Sequence, residues 1–136
     1  MREDLFGLIK EINNEFYGQL INEDIEIYLD KLLKNAEIML HYSNNVLVGC
    51  LAFYANDHIN KKAFISFIGI KNTHRDKGLG KILLTSSMVY LKKNNFNEYG
   101  LEVIKKNENA INFYMKQGFI KKEDGIDRIF MVKKLI

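Results

Sequence analysis

One stretch of this chain, residues 63–84 with the sequence AFISFIGIKNTHRDKGLGKILL, dictates most of what can be built around it. Phe64, Ile65, Phe67, Ile68 and Ile70 form an apolar, β-branched run that reads as a strand. The segment Arg75-Asp76-Lys77-Gly78-Leu79-Gly80 follows as an R-x-x-G-x-G loop, and Ile82, Leu83 and Leu84 continue into a helix. A glycine-rich loop entering a helix presents unpaired main-chain N–H groups at the positive end of the helix dipole. Glycine lets a ligand approach the main chain, so such a junction suits a phosphate or pyrophosphate. A Walker loop is excluded, because Gly80-Lys81 is followed by Ile82 and the earlier glycine is missing. A dinucleotide fingerprint is excluded too, because Leu83 stands where the third glycine belongs and repeated βαβ units are absent.

The remaining periodicity supplies a frame for that junction. Helical spacing runs over 3–20 (Leu5, Leu8, Ile9, Ile12, Phe16) and over 23–34 (Ile25, Tyr28, Leu29, Leu32, Leu33), with Asn22 or Asp24 as cap of the second helix. Residues 37–43 and 46–55 read as a hairpin around Asn44-Asn45, and 63–70 as a third strand. A helix over 79–93, a strand over 98–104, a helix over 107–117 closed by Gly118, and strands at 119–122 and 128–135 complete the order α-α-β-β-β-α-β-α-β-β. Hairpins at both ends with β-α-β between them predict an α/β (α+β) fold: a mixed, mainly antiparallel central sheet with helices on both faces. With 136 residues, 47% of them hydrophobic, one domain spanning 1–136 with a core of its own is expected. The lone Cys50 reads as a buried strand residue, and one cysteine makes neither an intramolecular disulfide nor a metal cluster. The net charge of +3 is spread over scattered Lys-Lys pairs, a field too diffuse for a nucleic-acid partner. No apolar run approaches the ~20 residues of a membrane span, and the acidic start does not suit a signal peptide, so a cytoplasmic protein is expected.

Two blocks carry a family resemblance. Ile70-x-x-x-x-Arg75-x-x-Gly78-x-Gly80 resembles the acyl-CoA-binding motif of the GNAT N-acetyltransferase superfamily. Leu101-Glu102-Val103, then Asn107-x-x-Ala110-x-x-Phe113-Tyr114-x-x-x-Gly118-Phe119, is similar to that superfamily's next strand–helix block. The element order agrees over nearly the whole chain, apart from the superfamily's usual first strand, which is not evident, and Asn72, where many members have proline. The resemblance implies acetyl-CoA as co-substrate and no metal. It implies that the main chain of Arg75, Asp76, Lys77, Gly78, Leu79 and Gly80 wraps the pyrophosphate. It places the pantetheine arm along Ile68, Gly69 and Ile70, with Gly69 consistent with a bulge or a close approach, and an N–H near Ile68 on the thioester carbonyl. It makes Asn107 a CoA contact, a role compatible with capping the following helix, and Tyr114 the general acid that protonates the leaving thiolate.

The base is less determined. The strand region 64–66, where some members carry a glutamate, has no carboxylate here. Glu102 and His58 are the candidates carried forward, with Asp57 and His41 behind them and a water chain as the alternative. The expected reaction is transfer of acetyl to a primary amine of a small molecule by direct attack, an amino sugar being one acceptor and a peptide or protein amine another. A non-catalytic acyl-CoA-binding module of the same fold is the competing reading. Exposed edges of the final strands leave room for a homodimer.

Overall fold

The structure, a computed structural model, describes residues 1–136. Helix α1 (Arg2–Glu15) opens on Glu3 and Asp4, which suit its positive end, and buries Leu5, Leu8, Ile9 and Ile12 along one stripe. It stops several residues short of the span predicted from periodicity. Tyr17 and Gly18 take left-handed φ values of 55° and 76°, and Gly18 N–H turns back to Asn13 O at 2.9 Å. The buried Asn13 then accepts from Ile21 N–H at 2.9 Å, which fixes the connection to the next helix. Helix α2 (Ile25–Asn35) is capped by Asp24, whose carboxylate accepts from the N–H groups of Glu26 and Ile27.

Six strands form one sheet: β1 (Glu37–Ser43), β2 (Val46–Asp57), β3 (Lys62–Ile70), β4 (Glu98–Ile104), β5 (Ile120–Asp124) and β6 (Arg128–Lys134). Their order is β1-β2-β3-β4-β6-β5, and every neighbouring pair is antiparallel except β3 and β4. This is the mixed, mostly antiparallel α+β sheet expected from the element order, with no strand ahead of α1. Helix α3 (Leu79–Lys93) provides the β3-to-β4 crossover, and α4 (Glu108–Lys116) joins β4 to β5.

The two helical layers bury separate cores. On one face α1 and α2 pack Leu5, Ile9, Leu29 and Leu32 against Cys50, Ala52 and Phe67. On the other, α3 and α4 pack Leu84, Leu91 and Tyr114 against Phe53, Ile65, Tyr99 and Leu101. Cys50 is fully buried as expected, and burial pushes its thiol up to about 12. No helix is long and apolar enough to cross a membrane.

β3 changes faces midway. Ala63 and Ile65 belong to the α3/α4 core, yet Phe67 belongs to the α1/α2 core, so simple alternation fails between them. The register shows why: Phe53 lies opposite Ile65 and Ala52 opposite Phe67, which leaves Ser66 as an extra residue. Ser66 is a β-bulge, held by Tyr28 of α2, whose hydroxyl lies 2.7 Å from Ser66 Oγ and donates to Ser66 O at 3.2 Å. Of the two readings of Gly69, a bulge or a close approach, the bulge falls instead three residues earlier. Gly69 itself is a close-approach glycine: a Cβ there would fall 2.5 Å from Ile12 Cδ1 and 2.9 Å from the Phe67 ring. What approaches Gly69 is the protein's own helix α1.

Candidate active site

Beyond the bulge the sheet opens. The parallel β3–β4 pairing covers only Lys62–Ile65 against Glu98–Leu101 and then ends. The direction of the main-chain groups past that point follows from the antiparallel neighbours. Lys71 N–H donates to Val48 O at 2.7 Å, in line with the register that sets Gly69 opposite Cys50. Hydrogen-bonded pairs alternate along an antiparallel ladder. Gly69 and Lys71 therefore face β2, while Ile68 and Ile70 turn their N–H and C=O groups towards β4. The same reading applies on the opposite wall. Asn97 O accepts from Leu135 N–H, just past β6, at 2.8 Å, and Lys105 N–H donates to Asp127 O, just before it, at 2.9 Å, so by alternation the main chain of Glu102 and Ile104 turns towards β3. Two strand edges thus face each other across a seam that no strand fills.

The glycine loop lies at the mouth of that seam. A single 3-10 turn, Asn72–His74, leads from β3 into it, Asp76 and Gly78 adopt left-handed φ values of 63° and 79°, and Gly78 caps α3. The N–H groups of Asp76, Lys77, Gly78, Leu79, Gly80 and Lys81 meet no protein acceptor. Around Gly78 the space a Cβ would take is empty. A run of free amides at a helix N-terminus is a ready cradle for a diphosphate. The Arg75 side chain takes no part in the cradle. Its Nε donates to Ile70 O at 2.8 Å, and its guanidinium grips both carboxylate oxygens of Glu15, the last residue of α1. Arg75 Nη2 thus braces the loop against α1, and one helical turn earlier Lys71 Nζ meets Glu11 at 2.6 Å. Glu15 escaped the sequence reading because a charged residue at a helix end looks solvated until its partner, sixty residues on, is seen.

On the α3/α4 side of the seam, Asn107 caps α4 through its carboxamide oxygen, which accepts Ala110 N–H at 3.2 Å, and its amide nitrogen stays unspent. Phe113 approaches Gly80, where a Cβ would lie 3.5 Å from its ring, so α4 abuts the start of α3. Tyr114 is buried with Phe113 and Phe119 packed edge-on against its ring, in the core against which Ile68 and Ile70 also pack. Its hydroxyl bonds no protein group, yet no fully buried side-chain polar atom lacks a partner. The hydroxyl consequently keeps an opening to solvent. Burial alone raises its pKa well above the ordinary phenol value, so it stays protonated near neutral pH and has a proton to give.

The two candidate bases part company. Glu102 is exposed on β4 just past the end of the parallel pairing, opposite Phe130, on the sheet face away from Tyr114. His58 lies in the β2–β3 turn, its ring tilted at 51° against Phe96 with centroids 5.3 Å apart, at the end of the sheet remote from the glycine loop. Asp57 shapes that same turn: Asn60 donates to it from main chain and side chain, and these bonds lower its pKa. The structure brings together Ile68, Ile70, the 75–80 loop, Asn107 and Tyr114, with Glu102 on the opposite side of the seam, and leaves His58 apart.

The acetyltransferase (GNAT) family model matches residues 5–119 of the chain. Among curated proteins, the chain is similar to the probable N-acetyltransferase san of Drosophila melanogaster, 27% identical over 113 residues; the match covers 82% of this chain and 60% of that protein's length. Among solved structures it resembles the PaiA N-acetyltransferase of Thermoplasma acidophilum in complex with coenzyme A, with a TM-score of 0.81, 23% identity and coverage of 98% of this chain and 92% of that one. It also resembles a GNAT-family acetyltransferase from Staphylococcus aureus Mu50, with a TM-score of 0.86, 21% identity and coverage of 99% and 93%.

Proposed function

Because the chain belongs to the GNAT family of acetyltransferases, we propose that it transfers the acetyl group of acetyl-CoA to a primary amine of a small molecule by direct attack. The observation that carries this reading is the open seam: two main-chain edges face each other beside a run of six free amides, with a protonated, unbonded phenol on one wall. The amides of 76–81 receive the pyrophosphate, and the edges at Ile68 and Ile70 receive the amide-bearing pantetheine arm as an added strand would be received. The Ile68 N–H, turned into the seam, serves as the donor to the thioester carbonyl as negative charge gathers on it. As the amine nitrogen bonds to the acetyl carbon and the carbon–sulfur bond breaks, the thiolate takes the Tyr114 proton. Glu102, on the other side of the seam, or a water beside it, takes the proton that the amine gives up.

A direct test is release of free CoA thiol from acetyl-CoA against a panel of primary amines, with acetyl-CoA binding measured in parallel. Turnover with at least one small amine is the expected result. Binding without release on any acceptor would favour a non-catalytic acyl-CoA-binding module instead.

A further inference from the structure

An open cavity of about 850 Å³ lies between the α1–α2 connection, the end of β4 and the β5–β6 turn. It reaches Ile104, whose main chain faces the seam, and it lies on the sheet face away from Tyr114. Its charged lining is unevenly neutralised. Glu23 is paired with Lys31 at 2.8 Å and Lys105 with Asp124 at 2.6 Å. Lys106 and Arg128 have no carboxylate within ion-pair distance, and the lone countercharge left among the lining residues is Asp127.

Arg128 stands out within this wall. One terminal nitrogen, Nη2, donates both of its hydrogens, to Gln19 O at 3.0 Å and to Asn22 Oδ1 at 3.1 Å. Both acceptors are neutral, so the guanidinium is fixed in place with its charge uncompensated. Its Nε and Nη1 hydrogens are unspent, and Arg128 lines the cavity. A guanidinium held rigid by one nitrogen, with its remaining donors open, is preorganised for a two-oxygen anion.

We infer that the acceptor amine carries an anionic oxygen group, a carboxylate or a phosphate, which Arg128 receives with Lys106 beside it. This rests on the acetyl-transfer reading of the seam. The acceptor would bind with its anion at the cavity wall and its amine directed towards Ile104 and the seam. A polycationic amine meets the wrong sign of charge there.

The test is steady-state acetyl transfer to four matched primary amines of equal length ending in carboxylate, phosphate, carboxamide or a second amine. It is run on the full chain and on Arg128→Gln, Arg128→Lys and Asn22→Ala. The expected result is a kcat/KM for one of the two anionic amines at least about tenfold above the carboxamide, with the diamine poorest. The higher of the two anionic arms identifies the group. Arg128→Gln collapses the anion-to-carboxamide ratio, mainly through the KM of the acceptor, with the KM of acetyl-CoA unmoved; Arg128→Lys recovers part of the ratio, and Asn22→Ala, which keeps the guanidinium, retains most of it. Equal losses on the anionic and neutral amines in Arg128→Gln would reduce Arg128 to a structural clip and overturn the inference. Turnover that favours neutral or dicationic amines in the unaltered protein would overturn it while leaving the transferase reading standing. No turnover on any arm would overturn both.

Discussion

Tyr114 separates packing from chemistry within one side chain. Its ring is held by Phe113 and Phe119, while its hydroxyl holds nothing. Tyr114→Phe should therefore leave the melting temperature close to that of the unaltered protein. It should lower kcat by about 10²-fold or more, as loss of a positioned proton donor does, with little change in the KM of acetyl-CoA. Glu98 presents the complementary case, a carboxylate with structural work only. It is nearly buried, and the ammonium of Lys134 at 2.8 Å, with Lys62 at 3.9 Å, holds its pKa below the usual value. A carboxylate depressed in the folded state stabilises above its unfolded pKa, near ~4.3, and that contribution fades as pH falls through the folded value. Glu98→Gln should thus cost about 1 kcal/mol in urea melts at pH 7, with the difference shrinking as pH falls below ~4.3.

At the scale of elements, the link from α1 to the glycine loop ties that loop to the wall of the cavity. Glu15 ends α1, its carboxylate grips Arg75 at the start of the loop, and Gly18 and Gln19 beyond it line the cavity beside Arg128. Glu15→Gln weakens that brace, so the KM of acetyl-CoA should rise severalfold and stability should fall by about 1 kcal/mol. Gly69 is the point where α1 lies closest to β3, and Gly69→Ala forces Ile12 or the Phe67 ring to move; a loss of about 1–3 kcal/mol in a denaturant titration is expected. The order of elements and the glycine loop were readable from the chain, because periodicity and glycine spacing are local signals. The end of α1 has no such local signal, because Phe16 and Leu20 extend an apolar spacing that Tyr17 and Gly18 interrupt by conformation. The bulge itself has no local mark at Ser66; the bond from Tyr28, thirty-eight residues away, sets its position, while Gly69 keeps the close approach that its glycine allows. Arg128 and Glu15 went unnoticed for the same reason, since both act through partners distant in sequence.

The whole molecule consists of two antiparallel half-sheets, β1-β2-β3 and β4-β6-β5, joined by a short parallel seam and by α3. A ligand lying in the open part of the seam touches both halves and binds only the folded chain. Acetyl-CoA at about 100 times its dissociation constant should therefore add about 2.7 kcal/mol of stability, seen as a rise of several degrees in the melting temperature, and desulfo-CoA should do much the same. The one-residue alternation along the distal half of β3 also leaves an imprint in time. Gly69 and Lys71 give their N–H groups to β2, while those of Ile68 and Ile70 face the gap. Deuterium from solvent should accordingly enter Ile68 and Ile70 quickly and Gly69 and Lys71 slowly, a fast-slow comb within four consecutive amides. Filling the seam with acetyl-CoA should erase the comb by slowing its fast teeth alone.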